Sequence, residues 1–220
     1  MNQARWRLRR REFLCLGLGA GLAGCQIPGG GEPPQLYTLS PRKIFTARDL
    51  PRVDWQLVVE PPLASQGLDS SRIALQRSPL RIDYYARVSW TNPAPLMIQT
   101  LLIESLDNTG RIIGVTREST QLRADYLLQT DLREFQAEYD SPNGPPLVRV
   151  RIAAKIVRLS DRTIIGNASF EDAERAQKGE IEPVIAAFDV ALGRVLDQTV
   201  EWTLRTPQAN PRPGAPRAAP

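Results

Sequence analysis

The sequence predicts an α+β fold, a mainly antiparallel sheet with two helices packed on one face. Between residues 148 and 156, aliphatic side chains alternate with mainly basic ones, a period of two that is typical of a strand with one buried face. Residues 94–106 instead repeat apolar side chains at helical spacing, and residues 184–195 do so again. Elements with one apolar face bury those faces against one another, which predicts a two-layer sandwich.

Four short strands are predicted before the first helix. Their aromatic and β-branched content favours strands, and proline or a Ser-Pro pair follows most of them. They are residues 36–39, 55–59, 71–75 and 81–85.

The first helix follows Asn92-Pro93. Asn92 can cap a helix, and Pro93 suits the first helical position because its missing N–H would be unpaired there. Helical spacing continues to Leu106, and the polar residues 107–110 end the helix. We expect its broad apolar face to pack on the sheet.

In the second half of the chain, residues 112–115 are a strand candidate. The pattern after them predicts a three-stranded antiparallel meander. Its hairpin turn at 160–162 is short. The meander strands are residues 126–135, 148–156 and 163–170. Beyond them we expect a polar loop over 171–180, a helix opened by Glu182-Pro183 and a last short strand over 199–204.

The globular domain is predicted to span residues 36–205, a length that suits one core. Residues 25–35 are rich in glycine and proline and are expected to form a tether. Residues 206–220 hold five prolines without an apolar period, which predicts a disordered tail.

Residues 1–24 are predicted to form a signal peptide. Five arginines precede a short apolar run, which is the order of the positive and apolar regions of such a signal. The run is much shorter than the ~20 residues that span a bilayer. Within it, Arg10, Arg11, Phe13 and Leu14 resemble the twin-arginine export signal. The alternative is that the arginines only supply the positive start of a general secretory signal.

The run ends at Leu22, Ala23, Gly24 and Cys25, the pattern that lipoprotein processing recognises. Cleavage before Cys25 leaves a mature chain with a single cysteine, which can form no internal disulfide. A free thiol in a flexible segment is the alternative, but an exposed thiol is a liability in an exported protein. We therefore predict a covalent lipid on Cys25 as a membrane anchor, and no other cofactor.

Composition excludes several classes of function. The first 24 residues contain five Arg and one Glu, so 23 basic and 23 acidic residues remain and the mature chain is formally neutral. It lacks the basic field of a nucleic-acid-binding protein. The sequence contains no histidine, which excludes Ser-His-Asp and Cys-His catalysis and histidine metal sites.

Two sets of residues are candidates for binding. Arg149, Arg151 and Lys155 share the polar face of their strand and are a candidate anion-binding or partner-binding surface. The alternative is a solvated row paired with acids on neighbouring strands. Trp55, Trp90 and Trp202 are candidates for a lipid or partner groove or, alternatively, for core residues.

The order of these segments resembles a known family, the ABC-type transport auxiliary lipoproteins of the PqiC-like group. The residues that carry the resemblance are aromatic and packing signatures spread over the whole mature domain. They are Tyr37-Thr38-Leu39 after Cys25, Tyr84–Trp90 with Pro93 and Met97-Ile98, Asp131–Phe135, Val150–Leu159 with Asp161-Arg162, Ala187-Phe188 and Trp202.

The resemblance implies a non-enzymatic accessory of a transport system that moves lipids between the inner and outer membranes. Its implied partners are an MCE-domain periplasmic protein and the permease and ATPase of an ABC transporter, and a homo-oligomer is left open. Gln26 is not the Asp that retains many such proteins at the inner membrane, so the periplasmic face of the outer membrane is expected.

Two alternatives remain open at this point. A structural or assembly lipoprotein of the envelope would have the same anchor and a partner outside transport. A carboxylate-dependent hydrolase would need two acids that converge in a cleft, and no spacing in the sequence places such a pair.

Overall fold

The computed structural model describes residues 33–117, 124–141 and 144–210. The predicted signal peptide, Cys25 and its neighbouring export residues lie outside this range. The elements in chain order are β1 (Gln35–Tyr37), β2 (Gln56–Val59), β3 (Leu63–Ala64), β4 (Arg72–Ser78), β5 (Arg81–Trp90), α1 (Ala94–Asn108), β6 (Gly114–Arg117), β7 (Tyr126–Glu138), β8 (Leu147–Arg158), β9 (Thr163–Arg175) and α2 (Ile181–Ala209).

Strand β7 is the centre of the sheet. On one side it pairs antiparallel with β8, which pairs antiparallel with β9, so the predicted meander is confirmed. On its other side, successive stretches of β7 pair in parallel with β2, β3 and β4. Strand β4 forms an antiparallel hairpin with β5, while β1 lies parallel to β5 and β6 parallel to β2. The sheet is therefore largely antiparallel but mixed.

Both helices cover one face of this sheet, which confirms the predicted α+β sandwich. The predicted helix α1 is present but begins at Ala94, one residue later than expected: Pro93 is its N-cap and not its first residue, and no side chain caps it, so the predicted Asn92 cap is wrong. Helix α2 packs on β8 and β9 and against α1. No helix in the described part of the chain has the length and apolar character needed to cross a membrane.

The core centres on three aromatic rings. Ring centroids lie 5.5 Å apart between Trp90 and Phe135, 4.9 Å between Phe135 and Phe188 and 5.2 Å between Trp90 and Phe188. Trp55 is also buried and packs on Tyr126. Trp55 and Trp90 are therefore core residues, as the second interpretation of the tryptophans predicted. Trp202 is partly buried against Phe170.

The prediction of a last strand over residues 199–204 is wrong, because α2 continues through them to Ala209. Their β-branched side chains fit the helix: the Thr199 hydroxyl donates to the Val195 carbonyl at 2.7 Å. Val200 and Leu204 are fully buried on the helix face that covers the sheet, so packing outweighs local propensity. Residues 206–209, assigned to the C-terminal tail, are helical for the same reason, and 211–220 lie outside the described range.

The predicted loop over 171–180 is also wrong in its first half, since β9 continues to Arg175. The polar run remains in the sheet because its acids find arginine partners on neighbouring elements. Arg194 of α2 binds Asp172 at 3.0 Å and Glu174 at 2.8 Å, and Arg149 of β8 binds Glu171.

Candidate partner-binding face

The face of β7–β9 turned away from the helices presents the three basic residues that the sequence singled out. Side chains alternate along β8, so Arg149, Arg151 and Lys155 lie on this polar face while five aliphatic residues point into the core. These buried residues are Val148, Val150, Ile152, Ala154 and Ile156. The structure confirms that the three basic residues share a face, but the surroundings of Lys155 differ from those of the two arginines.

Arg149 and Arg151 are enclosed by acids. Arg149 Nη1 donates to Glu171 Oε1 at 2.8 Å, and its Nε donates to Glu138 Oε1 at 3.2 Å. Arg151 Nη1 lies 3.5 Å from Glu134 Oε1. We call these five residues the ion network. Hydrogen bonds to Glu138, and then to Glu171, raise the pKa of the Arg149 guanidinium despite its partial loss of hydration.

The ion network carries no excess positive charge. It brings three carboxylates to two guanidiniums, so its formal charge is negative and it does not attract an anion. This half of the predicted surface is therefore the row paired with acids on neighbouring strands. Its structural effect is to join β7, β8 and β9 across their polar face.

Lys155 has different surroundings. It is exposed, and its cross-strand neighbours are the uncharged Gln129 on β7 and Asn167 on β9. It lies at the rim of a cavity of about 540 Å³. The residues that line this cavity come from the β2–β3 connection, the start of α1 and the centres of β7 and β8: Glu60, Pro61, Pro62, Leu63, Asp69, Pro93, Pro95, Leu96, Gln129, Thr130, Asp131, Ala153 and Lys155.

The Pro61-Pro62 pair opens this cavity. The backbone N–H of Glu60 donates to the Leu128 carbonyl at 3.2 Å, and β7 is next paired at Asp131, which lies opposite Leu63. Neither proline has an N–H, so the ladder is interrupted between these points. The start of α1, with Pro93 and a second proline at Pro95, contributes another wall.

The cavity has an apolar side and a polar side. Leu63 is 73% exposed and Leu96 is 45% exposed, which leaves two leucines in water beside four prolines. Opposite them lie Lys155 and Asp131, and Gln129 donates to Glu60 at 3.0 Å. Such a surface suits an apolar segment with a nearby charge. In the described ranges, no three acidic or cysteine side chains are grouped as a metal site.

One residue in the sequence pointed to this cavity, although the helical periodicity of apolar residues does not identify it. Leu96 falls off the apolar stripe of α1, since its neighbours Met97 and Ile98 are the buried ones. A leucine that follows Pro95 but lies outside the apolar stripe marks an exposed apolar position. Which strands it would face depended on parallel pairing that the sequence does not reveal.

A match to a protein-family model identifies the family of the chain. Residues 37–200, from β1 into the last third of α2, match the model described as "ABC-type transport auxiliary lipoprotein component". The chain belongs to this family. The match covers β2 to β9, helix α1, most of α2 and the residues that line the cavity, and it confirms the resemblance that the aromatic signatures indicated.

Two relatives of this chain extend the comparison. An uncharacterised protein of Bradyrhizobium diazoefficiens is 28% identical over 192 residues, which are 86% of this chain and 50% of the relative. The chain thus spans half the length of that curated relative. A crystal structure of a DUF330 protein from Xanthomonas campestris is 30% identical with a TM-score of 0.74, covering 80% of this chain and 98% of that one.

A further crystal structure of an uncharacterised protein shares only the fold. It has a TM-score of 0.57 at 16% identity and covers 79% of this chain and 98% of its own. The family is described as an auxiliary lipoprotein component of ABC-type transport.

Proposed function

We propose that this protein is a lipid-anchored, non-enzymatic accessory of an MCE/ABC-type system that moves lipids between the inner and outer membranes. The observation that carries the proposal is the family match over residues 37–200. Because the chain has no nucleotide-binding loop, the ATPase of the system is a separate subunit.

The anchor in this proposal is a covalent lipid on Cys25. Several acyl chains hold a protein to a membrane stably, whereas one chain does so only marginally. The tether of residues 25–35 then joins the lipid to β1. The absence of Asp at position 26 favours the periplasmic face of the outer membrane.

The cavity between Leu63, Leu96 and Lys155 is the docking site in this proposal. An accessory of this kind must hold the periplasmic part of the transporter, which we assign to its MCE-domain protein. Exposed leucines supply apolar contact area, and Lys155 offers a cation among the acids Glu60, Asp69 and Asp131, so the partner can make polar contacts of both signs. The ion network next to the cavity keeps β7, β8 and β9 joined while the partner binds.

Site-specific photocrosslinking in intact cells tests this assignment. A photoreactive amino acid replaces Leu63 in one strain and Ile113, which is 65% exposed and does not line the cavity, in a control strain. We expect the Leu63 probe to capture an MCE-domain protein, with less capture when Lys155→Glu is added, and the Ile113 probe to capture none. Capture only of an envelope protein unrelated to transport would instead support the structural lipoprotein.

A further inference from the structure

The turn between β4 and β5 presents a fully exposed leucine. Leu80 is 98% exposed, and Ile82 on the same hairpin is 37% exposed. We call residues 77–82 the β4–β5 tip. A single exposed leucine is common in proteins, so it becomes informative only through what surrounds it.

Basic residues flank this leucine. Between residues 77 and 82 the sequence has Arg77 and Arg81, and the nearby acids are Asp83 on β5 and Glu138 and Asp140, which line a small cavity together with Arg77. Arg81 Nη2 lies 2.9 Å from Asp83 Oδ2, and the Arg77 guanidinium lies 4.6 Å from the centre of the Tyr139 ring. An apolar side chain at the tip with guanidiniums behind it matches the order of acyl region and anionic headgroups at a membrane surface.

The N-terminal end of β1 faces the same end of the domain as the β4–β5 turn. Strand β1 is parallel to β5, with Gln35 opposite Val88, and β5 is antiparallel to β4. Traced backwards from Tyr37 to Gln35, β1 therefore points the same way as β4 does when it runs toward its turn. In the β4–β5 pairing, Arg72 lies opposite Ser89 and Ser78 lies opposite Arg81. At ~3.3 Å per residue, the turn is therefore about 20 Å from the level of Arg72, where β1 also pairs with β5.

The tether is long enough to cover this distance. Nine residues lie between Cys25 and Gln35, which makes ten Cα–Cα steps, and such a segment spans at most about 35 Å when extended. A lipid on Cys25 can therefore enter a membrane that also touches the β4–β5 tip. This step depends on the lipid anchor in the proposed function.

We infer that the β4–β5 tip inserts Leu80 into the same membrane that holds the lipid anchor, with Arg77 and Arg81 at its anionic headgroups. This second contact orients the domain on the membrane. Strands β4 and β7 are parallel and β7 and β8 antiparallel, so the β8–β9 turn lies at the other end of the sheet, directed into the periplasm.

A depth-sensitive probe on the lipidated mature chain tests this inference. Because Cys15 leaves with the signal and the thiol of Cys25 is acylated, Leu80→Cys introduces one reactive thiol for an environment-sensitive fluorophore. Leu159→Cys, which is 38% exposed at the β8–β9 turn, is the matched control. Both proteins are reconstituted into vesicles of phosphatidylethanolamine and phosphatidylglycerol that contain nitroxide-labelled lipids, after mass spectrometry has established acylation.

We expect the probe at position 80 to shift to shorter emission wavelengths and to be quenched by the nitroxide lipids. Omission of phosphatidylglycerol should reduce both effects, and the probe at position 159 should remain in water. Water-like emission at position 80 in acylated, vesicle-bound protein overturns this inference and leaves the proposed function intact. Protection of position 80 only in native envelopes would assign the tip to a protein partner and also overturn it. If mass spectrometry of the mature chain shows no added acyl groups, the lipid anchor is contradicted, and this inference is contradicted with it.

Discussion

Arg149 Nη1 donates a hydrogen bond to Glu171 Oε1 at 2.8 Å, across the pairing of β8 with β9. The same guanidinium donates through Nε to Glu138 on β7. One side chain thus joins three adjacent strands on their polar face. This contact explains why a row of basic residues that the sequence presents as a candidate anion site is occupied by the acids of the protein itself.

Replacement of Arg149 is expected to weaken the sheet. Arg149→Met leaves three clustered carboxylates without their shared cation and should lower the free energy of unfolding by about 1 kcal/mol at low salt. A double-mutant cycle with Glu171→Gln should give a coupling of about 0.5 kcal/mol, measured by urea unfolding.

Lys155→Met is the matched control for this cycle, because Lys155 lies on the same face of the same strand between uncharged neighbours. Its stability should change less than that of Arg149→Met. Additive effects of Arg149→Met and Glu171→Gln would show that the ion network does not contribute to stability.

The contact of Gly166 with the end of α2 makes a second prediction. A Cβ at Gly166 would lie 2.5 Å from Thr206 Cγ2 and 3.0 Å from Trp202 Cζ2. Gly166→Ala should therefore destabilise the domain by about 1–3 kcal/mol through overpacking. Gly114→Ala, in β6, meets only Gln56 Cγ at 4.0 Å and serves as the control.

A second variant keeps this test specific to the helix end. Thr206→Ser removes the Cγ2 that the new methyl group meets and should restore part of the stability of Gly166→Ala, as measured by thermal unfolding. Equal stability of the two alanine variants would mean that residues 202–206 do not pack on β9 as described.

The β8–β9 turn predicts a pH dependence. Loss of hydration acts to raise the pKa of Asp161, but hydrogen bonds from the Thr163 backbone N–H and from the Arg158 side chain outweigh it and hold the pKa below 3.8. A lowered folded-state pKa contributes stability that is present above the unfolded value and lost as the pH falls through the folded value. The loss should begin below about pH 4.

Asp161→Asn should remove this contribution. In urea unfolding, the variant should be less stable than the original protein at neutral pH, and the two should converge as the pH falls below the pKa of Asp161. A stability difference that stays constant across this pH range would contradict the role of the Asp161 carboxylate.

Much of the fold followed from local patterns. The alternation of residues 148–156 identified β8 and its polar face, and the spacing from Ala94 to Leu106 identified α1. These segments are predictable because each shows its own period and its own buried face.

Other features depended on contacts between distant residues. Thr199 and Val200 favour a strand by propensity, yet the face that they share with Leu204 is covered by the sheet and they remain helical. The parallel pairing of Leu63 with Asp131, which borders the cavity, joins segments almost seventy residues apart and has no local signature. The position of the cavity was therefore not predictable from the sequence, although Leu96 outside the apolar stripe was a sign of it, whereas the basic row of the candidate face was visible.

The proposed anchor, envelope location and orientation at the membrane all depend on acylation of Cys25. To measure it, cells that express the full chain or its Cys25→Ala variant are grown with a labelled fatty acid and fractionated. We expect label on the full chain and its presence in the outer-membrane fraction, with both lost in the variant. Equal label and equal membrane association of the variant would contradict the proposed anchor.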